Sequence, residues 1–103
     1  MRRGTTPTYI MNFATGDGAK IDDISITFAQ GILKLHAYLH DGKVVLDGDT
    51  ASVTLLQEDT KRFSAGYLNR QVKVKLKEEY GSRVLTSEIV NETVYEQLNE
   101  AVL

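Results

Sequence analysis

The chain reads as a mainly β protein, an antiparallel β-sandwich or a partly open barrel of six or seven strands. Three observations predict this. Apolar and polar residues alternate over most of the length, the mark of strands with one buried face. Gly and Asp clusters interrupt the alternation at a spacing of roughly 8–12 residues, as turns between short strands do. The lone proline, Pro7, stands just before the first alternating run, where a missing N–H costs little.

Taken in order, Tyr9, Met11 and Phe13 share one face at period two and predict a strand over residues 6–14. Gly16-Asp17-Gly18 breaks it. Ile24, Ile26 and Phe28 alternate with Ser25 and Thr27, and Leu33, Leu35, Ala37 and Leu39 alternate with Lys34, His36, Tyr38 and His40. With a tight turn at Gln30-Gly31 between them, these runs predict a hairpin over 24–39. Asp41-Gly42 and Asp47-Gly48-Asp49 are turns around a short strand, Val44 to Leu46. Ala51, Val53 and Leu55 supply the next strand.

The period changes at Gln57, and residues 57–63 suit one or two helical turns ending at Ala65-Gly66. Such a helix is a natural crossover between the sheets of an immunoglobulin-like sandwich. Val72, Val74 and Leu76 then mark a long strand over 67–78, and Tyr80-Gly81-Ser82 a turn. Residues 83–91 form the last predicted strand. Its parity is mixed, with Leu85 and Ile89 on one face and Val84 and Val90 on the other, which predicts a bulge near Thr86-Ser87. Thr93 and Glu96 have the spacing of a capping box, and Val94, Leu98, Ala101 and Val102 fall on one helical stripe, so a closing helix is predicted over 94–102. The organisation is then a flexible N-terminal arm, residues 1–7, ahead of one domain, residues 8–103.

Composition narrows the chemistry. The 103 residues carry 12 basic and 14 acidic side chains, a net charge of −2 with the signs interleaved, which argues against a nucleic-acid partner on charge grounds. There is no cysteine, hence no disulfide and no thiolate nucleophile. No apolar run approaches the ~20 residues of a membrane-spanning helix. Met1-Arg-Arg-Gly-Thr-Thr-Pro-Thr8 leads straight into the first strand without the apolar stretch of a signal peptide, which predicts a chain that begins at its fold and stays inside the cell.

No reaction centre emerges from motif and spacing, and the expectation is a protein without catalytic, cofactor-binding or metal-binding residues. His36 and His40 are four apart, but on a strand that separates them by ~13 Å, too far to share one ion. Asp17, Asp22, Asp23, Asp41, Asp47 and Asp49 sit where turns are predicted and lack the spacing of a calcium loop. Glu78-Glu79 flank a turn, none of Ser25, Ser52, Ser64, Ser82 and Ser87 lies in a nucleophile-elbow context, and Gly16-x-Gly18 lacks the rest of a dinucleotide loop.

What remains are candidate contact residues. Lys73, Lys75 and Lys77 share the outward face of one predicted strand, either guarding an edge against pairing or forming a ridge for an anionic surface. Glu92, Glu96 and Glu100 recur at helical spacing as an acidic stripe. Lysine ridge against acidic stripe would be a head-to-tail contact between copies. Arg2 and Arg3 belong to the arm, read either as a frayed end or as a segment docking on a neighbouring subunit.

The opening Met1-Arg-Arg-Gly-Thr-Thr-Pro-Thr8 resembles that of small phage and prophage structural proteins of Gram-positive gut bacteria. The likeness continues in Ile26-Thr-Phe-Ala-Gln-Gly31, Leu46-Asp-Gly-Asp49, Val53-Thr-Leu-Leu-Gln-Glu-Asp-Thr60, Val72-Lys-Val-Lys-Leu76, Gly81 and Ser87-Glu-Ile-Val90. Leu56 departs from the pattern, where Thr or Ser is usual, and that removes a helix cap. The resemblance implies a virion accessory protein of a tail, baseplate or head–tail region. It also implies a protein made in the bacterial cytoplasm, binding itself or other virion proteins, and it transfers no active-site residues. Two other readings follow from the residues alone: a stand-alone module binding a small ligand or ion through Asp-rich loops, and an enzyme.

Overall fold

The computed structural model describes residues 1–13, 20–78, 81–87 and 89–96. Eight strands and one helix follow one another: β1 (Thr8–Asn12), β2 (Lys20–Gln30), β3 (Leu33–Tyr38), β4 (Val44–Asp47), β5 (Thr50–Thr54), α1 (Gln57–Lys61), β6 (Gly66–Glu78), β7 (Gly81–Thr86) and β8 (Val90–Val94). They build two antiparallel sheets, a three-stranded one in the order β1-β5-β4 and a five-stranded one in the order β3-β2-β6-β7 with β8 also on β6. Among the described residues both sheets end in open edges, as in a β-sandwich and unlike a closed barrel.

The alternation seen in the sequence is what packs the sheets together. Ile24, Ile26 and Phe28 of β2, Ala51 and Val53 of β5, Leu68, Val74 and Leu76 of β6 and Val94 of β8 all point into one core. Tyr9, Met11 and Phe13 press on it from β1. Tyr9 stacks obliquely on Phe28, with ring centroids 5.1 Å apart.

Two hairpins are closed by two-residue loops that start with glycine. Gln30 faces Leu33 across Gly31-Ile32, and Asp47 faces Thr50 across Gly48-Asp49. Gly31 and Gly48 have φ of 60° and 61°, while the residues after them do not have positive φ. That is the II′ pattern, whose twist matches the flanking strands and which excludes a β-carbon at the first loop position.

Helix α1 forms where expected and spans five residues. Leu56 at its N-cap makes no side-chain cap. Its anchor is Thr60, fully buried, whose hydroxyl lies 2.8 Å from the Thr5 carbonyl and 3.2 Å from that of Gln57.

The predicted last strand over 83–91 is two strands on the same side of β6. β7 pairs with Lys73–Glu78 and β8 with Gly66–Arg70. The chain breaks register at Ser87, near the predicted bulge. The Ser87 N–H donates to the Val72 carbonyl at 2.8 Å, and the Val72 N–H donates to Ser87 Oγ at 2.9 Å. A side-chain hydroxyl thus replaces the main-chain acceptor that a continuous ladder would supply.

Two expectations at the termini are corrected. Val94 is not in a helix: it ends β8 and is buried in the core. Thr93 also lies in β8 and Tyr95 bridges to Arg2, so the capping box nucleates nothing there. Burial of Val94 against the sandwich outweighs a local signal worth about 1 kcal/mol. The rest of the predicted helix, residues 97–102, lies outside the described residues, as does the Gly16-Asp17-Gly18 turn.

The N-terminal segment is held by its own chain instead of extending as an arm. Its Arg2 forms a parallel bridge with Tyr95, the Arg3 N–H donates to the Tyr95 carbonyl at 3.0 Å, and the Leu55 N–H donates to the Pro7 carbonyl at 3.0 Å. The end of β8 has an unused backbone edge, and the first residues fill it.

Candidate interaction surface

The N-terminal arginines work inward. Arg3 donates through Nε to the carbonyl of Phe63, just past α1, and through Nη2 at 3.0 Å to that of Lys61, the last residue of α1, and Nη1 lies 3.3 Å from Glu96 Oε2. Arg2 donates to the Glu96 carbonyl, and its guanidinium lies 5.5 Å from the centre of the Tyr95 ring. Cationic donors on the carbonyls at a helix end are favourable there.

The acidic stripe does not form. Glu92 is on β8 with a side chain only 18% exposed, Glu96 follows the strand, and Glu100 lies outside the described residues. Glu92 Oε1 accepts the Tyr9 hydroxyl at 2.6 Å, and Oε2 lies 3.5 Å from Arg70 Nη1. The Arg70 guanidinium in turn covers the Tyr9 ring at 4.7 Å. Burial, then the hydrogen bond to Glu92, pushes the Tyr9 phenol well above its ordinary range. Three strands, β1, β6 and β8, are tied by this group, and no spacing rule links residues 9, 70 and 92 in the sequence.

Lys73, Lys75 and Lys77 do face outward, but β6 is an inner strand, paired on both sides. Edge protection is therefore not their role. Lys75 lies 3.6 Å from Asp22, the extra residue of a bulge in β2, and is opposite Asp23. On the same outer face His36, Tyr38 and His40 stack on each other, with centroids 6.1 Å and 4.7 Å apart. His36 Nδ1 is 2.9 Å from the Thr27 hydroxyl, and His40 Nδ1 is 2.8 Å from Asp23 Oδ2. Partial burial opposes charge on Asp23, yet hydrogen bonds from the His40 ring and the Ile24 and His40 N–H groups outweigh it and hold its carboxyl below the usual range. Among the described residues no group of three or more His, Asp or Glu converges as metal ligands would. Asp41 accepts the Lys43 N–H at 3.0 Å, which is turn chemistry.

The surface features that the alternation did not reveal are apolar. Val84 and Leu85 of β7, Ile89 just before β8 and Val90 of β8 lie at one edge of the large sheet, 59%, 48%, 63% and 44% exposed. Inward of that edge lies a groove of about 370 Å³ lined by Met11, Phe13, Val72, Val74, Leu76 and Leu85. It exists because the small sheet stops at β1 while the large sheet continues past β6 to β7. A second groove of about 340 Å³ opens on the opposite side, where Leu35 and Ala37 of β3 face Val45 of β4 and Val53 of β5. A count of strands per sheet would have pointed to such overhangs, but strand order is not written in the alternation.

Together these features define an antiparallel β-sandwich with open edges and uncovered apolar surface beside them. Compared with known proteins, the chain matches no family model, no curated protein and no solved structure.

Proposed function

We propose that the chain is a non-catalytic structural protein encoded by a phage or prophage, acting in tail, baseplate or head–tail assembly through contacts with itself or other virion proteins. The observation that carries the protein-contact part is the exposure of four aliphatic side chains on and between β7 and β8: Val84, Leu85, Ile89 and Val90. Exposed aliphatic residues along an open edge are a cost to a solitary domain and an asset to one that is covered in an assembly. The phage setting rests on the resemblance of Met1–Thr8 and the internal segments. The chain would be made in the cytoplasm of the bacterial host and carried into the virion or its assembly intermediates.

Glu92 and Glu96 are engaged within their own chain. Their engagement supports an apolar contact over a lysine-to-glutamate pairing. Sedimentation velocity over a range of protein and salt concentrations tests the reading, together with co-purification of the chain with virion proteins expressed from the same genome. The expected outcome is a species that grows with concentration, or co-purifies with virion proteins, and persists at high salt. A chain that stays monomeric at every concentration and co-purifies with no virion protein overturns it.

A further inference from the structure

We propose that the outer face of the large sheet binds single-stranded nucleic acid, with the phosphates along β6 and the bases against β3. This activity lies beyond the assembly reading and does not rest on it.

Whole-chain charge hides this face. The molecule is −2 overall, yet Lys20 of β2, Lys34 of β3 and Lys73, Lys75 and Lys77 of β6 share the face with only two acids, Asp22 and Asp23. Both acids are engaged. Asp22 lies 3.6 Å from Lys75, and Asp23 holds the His40 ring at 2.8 Å. Among the described residues Lys20, Lys73 and Lys77 form no ion pair. Lys20 and Lys77 are moreover direct cross-strand partners, an unfavourable arrangement that a bound anion would relieve.

Two parallel rows give the face its shape. The lysines of β6 stand at every second residue, ~6.6 Å apart, a repeat that an extended phosphodiester backbone can follow. Across β2, two strand spacings or about 10 Å away, runs the ring column of His36, Tyr38 and His40. That separation is comparable to the breadth of a nucleotide. Between the rows β2 offers only small hydroxyl side chains, Ser25 and Thr27. Ser25 is opposite Tyr38 on one side and Lys73 on the other, and there the face dips into a hollow of about 180 Å³ that also takes in Lys75.

The same geometry disfavours other polyanions. β2 and β6 are inner strands whose main-chain groups are taken by their neighbours, so an acidic peptide would find charge here but no backbone partners. A duplex keeps its bases inside the stack, out of reach of the rings. A single strand uses both rows, cations for phosphates and rings for bases.

The test is fluorescence anisotropy of a labelled oligothymidylate of about twelve nucleotides, titrated with the intact protein. Binding is expected at low salt, and the logarithm of the association constant should fall with log salt at a slope of about −2, as for three phosphates neutralised. Lys73→Gln combined with Lys77→Gln changes two exposed positions and is expected to fold, to weaken binding at least tenfold and to flatten the slope to about −0.7. Tyr38→Thr is expected to weaken binding at least fivefold by removing a ring from the column. His36→Ala, at an exposed ring, takes its place should Tyr38→Thr lower the melting temperature. Lys43→Gln, a lysine that lines the second groove instead, is expected to change affinity by less than twofold.

No binding at low salt overturns the proposal, as does a loss with Lys43→Gln equal to that of the β6 variant. Competition by polyglutamate of matched charge as strong as by unlabelled oligothymidylate also overturns it. So does a lysine-dependent complex that loss of a ring leaves unweakened, because the face would then be a patch for any polyanion.

Discussion

Tyr9, Glu92 and Arg70 show how much a single residue can carry in a sandwich this small. The phenol donates to Glu92 at 2.6 Å, and the ring is covered on one side by Arg70 and packed on the other by Phe28. Removing the hydroxyl in Tyr9→Phe leaves packing intact and takes away one charge-assisted hydrogen bond, worth about 1.5–3 kcal/mol. Urea unfolding at neutral pH is expected to show a loss of that order. The pH dependence has a definite sign. The Tyr9 pKa is raised on folding, so its contribution is complete below the ordinary phenol pKa of about 10 and fades as pH rises above it. The gap between wild type and Tyr9→Phe should therefore close in alkaline solution.

Asp23 has the opposite sign. Its carboxyl is held low, so the stability it adds is present above the usual carboxylate pKa of about 4 and is lost as pH falls through the folded value. Asp23→Asn is expected to be less stable than wild type at neutral pH and equal to it in acid, by thermal unfolding across that range. Neither group was marked by the alternation, because both depend on partners from other strands.

At the scale of elements, local signals located the strands well and their ends less well. The β2–β3 hairpin follows from two alternating runs and a glycine, and it is found as expected. Residues 83–91 were harder. The mixed parity was legible, but not that Ser87 and Val72 would divide the segment into strands with separate partners. Helix α1 offers a clean test of the capping argument. Leu56 has extended backbone angles, φ −81° and ψ 156°, and a largely exposed side chain with no cap bond. Leu56→Ser is expected to stabilise the protein by about 0.5–1 kcal/mol, a rise in Tm of a few degrees by calorimetry.

For the whole molecule, the consequential feature is the mismatch between sheets. The small sheet covers the inner strands of the large one and leaves β7 overhanging, and the apolar groove is what that overhang exposes. The core and the overhang should respond differently to mutation. Phe28→Ala empties a fully buried site and is expected to cost about 3–5 kcal/mol, read as a lower urea midpoint. Leu85→Asp is expected to leave the unfolding midpoint nearly unchanged, because the side chain is about half exposed, while reducing association in sedimentation.

The sequence by itself determined the mainly β class, the positions of most strands, the Gly31 and Gly48 turns, the crossover helix and the uncapped Leu56. All of these are set by contacts within a few residues, which alternation and turn chemistry record directly. Only the tertiary structure decided that residues 1–3 close against Tyr95, that Glu92 is a half-buried partner of Tyr9, that Lys73, Lys75 and Lys77 lie on an inner strand, and that an apolar groove opens between Met11 and Phe13 on one side and Leu85 on the other. Those outcomes depend on which strands become neighbours across the sheets. A two-residue period states which face of a strand is buried and carries no information about the strand beside it.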